Sequence, residues 1–377
     1  ALIEDAAPRL ATEVDVHGQP LLVPMLDIAT VGAGGGSIAS VDAGGLLEVG
    51  PQSAGADPGP ACYEKGNDQP TVTDANVLLQ VLNPASLLGG RMKISQAAAR
   101  DAVASVGARL GLEPLAAAQG IVAMAVANMV RAVRVISVER GHDPRDFTLV
   151  AFGGAGPVHA ARLARELGMR RVLVPKNPGV LCALGLLLSD LKTGVSTTRL
   201  FTLEEAAMPA IGACLAGLDQ QLEAWRAQEG VAADRCQVSY SADMRYVGQG
   251  HALNVACARG TTAAALRAAF ETQHEQVYGF VAADQPVQVT TLRAAATVAL
   301  DKASLAAFPP AATPVSDAVV GHRRVWLPEG GGFIDCPLYD REKLGPGHAF
   351  DGPAIVEQMD CTTLVLPGQH ATVDSWL

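Results

Sequence analysis

An α/β lobe followed by an α+β domain is the fold class this sequence predicts, and three observations predict it. First, an apolar run, FTLVAF (147–152), ends in Gly153-Gly154-Ala155-Gly156-Pro157 and passes into a helical pattern and a second apolar run, RRVLVP (170–175). That is one β-α-β unit, and the continuous apolar strand suits a buried parallel sheet. Second, beyond residue 198 helical stretches alternate with longer strand patterns and hairpins, the mark of an α+β domain. Third, 49% of the 377 residues are hydrophobic and only 18% charged, enough for sizeable cores in two or three domains. The expected domains are therefore 1–198 and 199–377.

The elements follow in order. EVDVHGQPLLVPMLDIATVG (13–32) alternates about HGQP, two strands around a turn. The glycines of GAGGGS forbid regular structure, and SIASV with LLEVG then form a short hairpin about DAGG. A stretch rich in Pro, Gly, Asp and Ser from residue 51 is a long irregular loop, which in a compact domain tends to carry function. VTDANVLLQVLN becomes helical from a cap at Thr73 or Asp74, and Ser95 caps SQAAARDAVASVGARLGL. PLAAAQGIVAMAVANMVRAVRVI is the longest helix, with Ile121, Ala125, Met129, Val133 and Ile136 on one face and Gly141 as its stop. PVHAARLAREL is a helix with proline in its first turn and Gly168 at its end. PGVLCALGLLLSDL reads as another buried helix. In the second domain, helices are predicted over 202–230 and 261–279, a hairpin over 237–257 and a strand over 287–300. Strands and turns with Gly and Pro punctuation fill the remainder.

The formal charge of −10 provides no basic stripe, which argues against nucleic acid as a partner. No basic-plus-apolar leader is visible, and the longest near-apolar run, GVLCALGLLL, is too short for a bilayer, so no membrane partner is expected. Seven scattered cysteines without a CxxC argue against a disulfide frame or zinc site and for a reducing, cytoplasmic setting. The chain opens on ALIED, an apolar strand without Met, so a preceding part of the polypeptide is expected elsewhere.

Two glycine stretches stand out as sites. Gly153, Gly154, Ala155, Gly156 and Pro157 lie where a strand ends and a helix begins. Ligands of open α/β sheets bind there, glycine lets them approach the backbone, and a helix start offers free N–H groups. The stretch lacks the GxGxxG fingerprint, and a tight turn without a ligand fits it equally. Gly34, Gly35, Gly36 and Ser37 form the second stretch, after a strand that carries Asp27. It can wrap a phosphate or carbonyl, or simply turn a hairpin corner. Asp57, Asp68 and Asp74 supply carboxylates for Mg²⁺ or for Asx-turns. His159, one turn into the later helix, either reaches a ligand or packs in the core. His142 reads as a helix terminator and His251 as a surface or interface residue, while Cys62 and Cys182 read as inert thiols.

Taken together, DIATVGAGGGSIA, GPQSAGADPGPACY with PTVTDANVLLQVLNP, VERGHDPRDFTLVAFGGAGPVHA, RYVGQGHALNV and GPAIVEQMDCTTLVLPGQ resemble the hydantoinase A/oxoprolinase family, in the family's order and across the whole chain. The resemblance implies an actin-like ATPase lobe of the sugar kinase/actin superfamily, with ATP and Mg²⁺ as cofactors. It further implies opening of hydantoin- or 5-oxoproline-like rings coupled to ATP hydrolysis, and a hydantoinase B-type partner subunit. An acetone- or acetophenone-type carboxylase subunit is the alternative within the family, and a non-catalytic scaffold the alternative outside it. By resemblance, 153–157 is the adenosine segment, and Asp27 and the 34–37 loop face the cleft, where Asp27 orients water, metal or substrate. The family's amino-terminal lobe and both phosphate loops would precede Ala1, so this chain alone is expected to bind ATP weakly and to hydrolyse nothing.

Overall fold

The computed structural model of the chain describes residues 1–4, 6–8, 10–11, 14–16, 19–21, 25–302 and 306–376. The turn expected at His17-Gly18 lies outside them, but the flanking segments Val14–Val16 and Gln19–Leu21 pair antiparallel. The chain forms two compact units, Ala1–Leu184 with Leu305–Leu377, and Gly185–Ser304. The sequence placed one division, near 198; the chain crosses between units twice.

In the first unit β1 (Ser37–Val41) and β2 (Leu47–Ser53) form the expected hairpin. Helix α1 (Val72–Leu78) starts at Thr71, slightly earlier than expected, because Thr71 and Asp74 form a reciprocal capping box. Helix α2 (Gln96–Leu110) is capped by Ser95 and ends on left-handed Gly111. Helix α3 (Pro114–Ile136) buries Ala117, Ala118, Ile121, Val122, Ala125 and Val126 in the core. Together with the turn to Arg140 it is long and apolar enough to cross a bilayer, the one such helix among the described residues. The 178–187 run is shorter.

β3 (Thr148–Val150) and β4 (Arg171–Leu173) pair in parallel around α4 (Gly156–Leu167), which gives the β-α-β unit. The buried sheet expected here is not formed. The pair has no third strand among the described residues, and Val150, Phe152 and Leu173 stay exposed. Helix α5 (Leu181–Leu187) is likewise exposed rather than buried, with Leu186 77% and Leu187 76% accessible.

The second unit is a four-stranded antiparallel sheet in the order β5 (Leu191–Thr202), β8 (Val287–Val298), β6 (Cys236–Tyr246), β7 (Leu253–Cys257). Helices α6 (Met208–Gln228) and α7 (Ala263–Tyr278) supply Ile211, Leu215, Leu218, Leu222, Leu266 and Phe270 to its core. Strand β5 went unpredicted because Thr, Ser and Gly dilute its apolar alternation. His274 is buried among Tyr246, Phe270 and Phe280, and shares a hydrogen bond with Gln249 of the RYVGQG stretch.

The chain then returns to the first unit with β9 (Val319–Leu327), β10 (Gly332–Asp340), β11 (Ala354–Glu357) and β12 (Thr362–Val365), a sheet in which only β10 and β11 run parallel. Val325, Leu327, Cys336, Ile355 and Leu364 from these strands share one core with α1, α3 and α4. The backbone of Trp326 donates to Leu79 at 2.9 Å, tying β9 to the end of α1.

Candidate functional site

The two glycine stretches meet. Thr73 in the first turn of α1 donates its backbone N–H to Gly35 at 2.8 Å. A Cβ at Gly35 would stand 2.8 Å from Thr73 Oγ1, so only glycine lets the first turn of α1 close on this loop, and 3.7 Å from the Ala155 methyl at the start of α4, an ordinary contact distance. Ser37 fastens the loop internally: its hydroxyl accepts from Gly34 N–H at 2.8 Å and donates to the Gly32 carbonyl at 3.1 Å.

The second stretch is held from the other side. Gly153, at φ +82°, donates to the Pro178 carbonyl at 2.7 Å. A Cβ on Gly154 would lie 3.2 Å from the Asp360 carbonyl. The Asp360 carboxylate accepts from Gly179 N–H at 3.0 Å and from the Gln358 amide at 2.7 Å. The 358–361 turn of the returning segment therefore braces the loop before α4.

A cavity of about 630 Å³ opens at this junction. Gly35, Gly36, Thr73 and Asn76 line it from the first loop and α1; Gly154, Ala155, Val158 and His159 line it from the second loop and α4. Residues 82–90 and the 340–362 region complete the wall. Of the residues singled out from sequence, Gly35, Gly36, Gly154 and Ala155 line the cavity, while Gly34, Ser37, Gly153, Gly156 and Pro157 shape its corner without lining it. Asp27 is not among the lining residues; it forms an ion pair with Arg140. Asn76, Glu357 and Asp360 were missed. Asn76 looks like an ordinary helix residue, and the two acids sit near the far end of the chain, where no local pattern connects them to the glycines.

The electrostatics of the wall are one-sided. Asp340, Glu342, Glu357 and Asp360 line it, and no Lys or Arg does. Glu357 is partly neutralised by Arg323 at 2.6 Å. His159 has no solvent exposure, and burial, reinforced by the nearby Arg162 charge, pushes its pKa down to about 4. Its imidazole is therefore neutral near pH 7. Neither ring nitrogen has a hydrogen-bond partner among the described residues, and the same holds for Asn76 Oδ1.

The wall fits the uncharged part of a nucleotide: small residues leave the backbone open, and orphaned polar atoms wait beside it. It does not fit a triphosphate by itself, because four carboxylates line it and no Lys or Arg does, Arg323 being engaged by Glu357. Among the described residues no three His, Cys, Asp or Glu side chains converge as a metal cage. Asp74 is excluded from the expected Mg²⁺ ligands, because its carboxylate already accepts from Ala61 N–H, Cys62 N–H, Thr71 N–H and Thr71 Oγ1. Asp57 and Asp68 are exposed loop residues. Cys62 is buried, and desolvation with the neighbouring Asp74 pushes its thiol well above the ordinary range, so it is inert.

Known proteins resemble the chain as a whole. The Hydantoinase/oxoprolinase family profile matches residues 1–195, and that of the Hydantoinase/oxoprolinase C-terminal domain matches 203–377. The caprolactamase subunit alpha of Pseudomonas jessenii is 37% identical over 368 residues, covering 93% of this chain and 52% of the relative. The crystal structure of the ATP-dependent caprolactamase from Pseudomonas jessenii superposes with a TM-score of 0.75 at 34% identity, over 97% of this chain and 54% of that one. A nucleotide-free acetone carboxylase structure superposes with a TM-score of 0.88 at 26% identity, over 100% of this chain and 55% of that one. The chain thus spans about half the length of these relatives. With both profiles matched in sequence and the mixed α/β architecture matched in space, the chain belongs to the hydantoinase/oxoprolinase family.

Proposed function

We propose that this chain is the second nucleotide lobe, of actin-like ATPase fold, in a cytoplasmic ATP-dependent hydrolase of cyclic amides that works with a hydantoinase B-type subunit. The observation that carries the reading is the convergence of Gly35 and Ala155 on one cavity whose lining holds bare glycine backbone and four carboxylates but no Lys or Arg. Gly154 and Ala155 would hold the adenosine end, while cationic groups for the triphosphate, and Mg²⁺ with it, come from outside this chain. ATP supplies a phosphoryl group that turns a resonance-stabilised amide oxygen into a leaving group. This chain's part is to bind and orient the nucleotide and to keep water from its base.

Asp27 is proposed to steady the approach to the 32–37 loop through its ion pair with Arg140. In the complete enzyme Asp27→Asn should lower kcat with KM little changed; unchanged turnover discards the role.

A ketone carboxylase subunit is the second reading, supported by the acetone carboxylase superposition. The complete polypeptide with its partner subunit separates the two. Lactam-dependent ATP hydrolysis with ring opening supports the first, and bicarbonate-dependent ketone consumption the second. Absence of nucleotide binding in that assembly would reduce the chain to a scaffold.

A further inference from the structure

Two buried polar groups in the cavity have no partner among the described residues, and they reach it from different helices. Asn76 is 2% exposed. Its amino group donates to the Val72 carbonyl at 2.9 Å, so the orphaned atom is the acceptor, Oδ1. His159 is fully buried, and both of its ring nitrogens are orphaned. Unpaired buried polar atoms are costly, so each implies something that satisfies it when the site is occupied.

Their placement is coordinated. Gly35 accepts from Thr73 N–H on α1, and a Cβ on it would stand 3.7 Å from the Ala155 methyl at the start of α4. Asn76 follows Thr73 by three residues, and His159 follows Ala155 by four, so each orphan lies one turn into its helix from the common contact. Both line the same cavity. A neutral imidazole presents one N–H and one bare nitrogen. Together the pair offers an acceptor from Asn76 and a donor from His159.

We infer that Asn76 and His159 read the edge of an adenine base, Asn76 Oδ1 accepting from the exocyclic amino group and His159 N–H donating to an adjacent ring nitrogen. This rests on the nucleotide reading above and adds to it the two side chains that recognise the base. Adenine carries an amino donor next to a ring acceptor. Hypoxanthine and guanine carry a carbonyl at that corner, with a protonated ring nitrogen beside it. Their carbonyl would face Asn76 Oδ1, and their N–H would face the His159 donor.

Nucleosides test the pair without needing phosphate contacts. Binding of adenosine, inosine and N6,N6-dimethyladenosine to the complete polypeptide with this chain unaltered is measured by ligand-observed NMR and competition titration. Adenosine should bind at least tenfold more tightly than either analogue, since each leaves Asn76 Oδ1 unpaired. Asn76→Leu and His159→Phe should bring adenosine down to the level of inosine. Equal binding of all three nucleosides overturns the base-reading pair and leaves the nucleotide lobe standing. If none of the three binds the complete polypeptide, the nucleotide lobe itself is overturned, and the pair with it. A structure of the adenosine complex in which a water bridges Asn76 Oδ1 and His159 while the base lies elsewhere would also overturn the pair.

Discussion

Arg162 on α4 grips Glu329 in the turn between β9 and β10 with two bonds, from Nε to Oε1 at 2.9 Å and from Nη2 to Oε2 at 3.3 Å. Arg165, one turn position on, adds a third at 2.9 Å. Both members of the central pair are nearly dry, with side chains 9% and 7% exposed. Burial pushes the Glu329 carboxyl up, but the Arg162 hydrogen bonds and the two guanidinium charges outweigh it and leave the pKa below its ordinary value. The pair fixes α4, and with it His159, against the returning segment.

Breaking that grip should be expensive. Glu329→Gln leaves the Arg162 charge buried without its counter-ion, at a cost of about 3–5 kcal/mol. Because the folded pKa is depressed, the stabilisation from Glu329 is complete above the ordinary glutamate range and fades as pH falls below it. Urea titration of both proteins at pH 7 and near pH 3 should show the gap between them shrinking in acid.

The contact between the two glycine loops gives a prediction with its own control. Gly35→Ala sets a methyl 2.8 Å from Thr73 Oγ1, which should cost about 1–3 kcal/mol and weaken nucleoside binding. Gly34→Ala meets nothing within 4 Å and should be close to neutral. Thermal melts and nucleoside titrations of the two variants check both statements.

Asp74 is a knot between the long loop and α1. It is fully buried and accepts from Ala61 N–H at 3.1 Å, Cys62 N–H at 2.7 Å and Thr71 N–H at 2.9 Å. Asp74→Ala should cost about 3 kcal/mol or more, since it strands several buried donors and removes a helix cap. Hydrogen exchange should report the loss locally, at Ala61, Cys62 and Thr71.

His159 predicts an acid limb in stability. Its folded pKa lies near 4, below the ordinary histidine value of 6.5. Between those two values the unfolded chain binds a proton that the folded one refuses. Stability therefore rises with pH across that window, by at most about 1.4 kcal/mol per pH unit from this group, and is level above it. His159→Phe should flatten that limb in denaturant titrations made from pH 4 to pH 7.

Local chemistry made much of this fold legible. Ser95, Gly168 and the proline in the first turn of α4 mark helix ends by hydrogen-bonding and backbone rules that act within a few residues. The SIASV and LLEVG hairpin followed from the glycines between them. The glycine stretches 34–37 and 153–157 were visible as loops, yet their meeting was not, because it depends on a tertiary contact between Gly35 and Ala155. Asp360 and Glu357 were invisible for the same reason. The exposure of Val150, Phe152 and Leu186 ran against pattern, since apolar periodicity reports what a segment can bury rather than whether a neighbour is present to cover it.

The return of Leu305–Leu377 to the unit begun by Ala1–Leu184 has a consequence for how the molecule comes into being. During translation the corner at Gly35 and Ala155 emerges before Asp360 and Glu329, which brace it. Helices α1, α3 and α4 must wait with an unfinished core while the intervening unit is synthesised. Closing so large a loop is slow, and the waiting apolar surface is sticky. A stop codon within 305–377 would therefore spoil the corner formed far earlier in the sequence, and a chaperone holding the nascent first unit should raise the yield of folded protein.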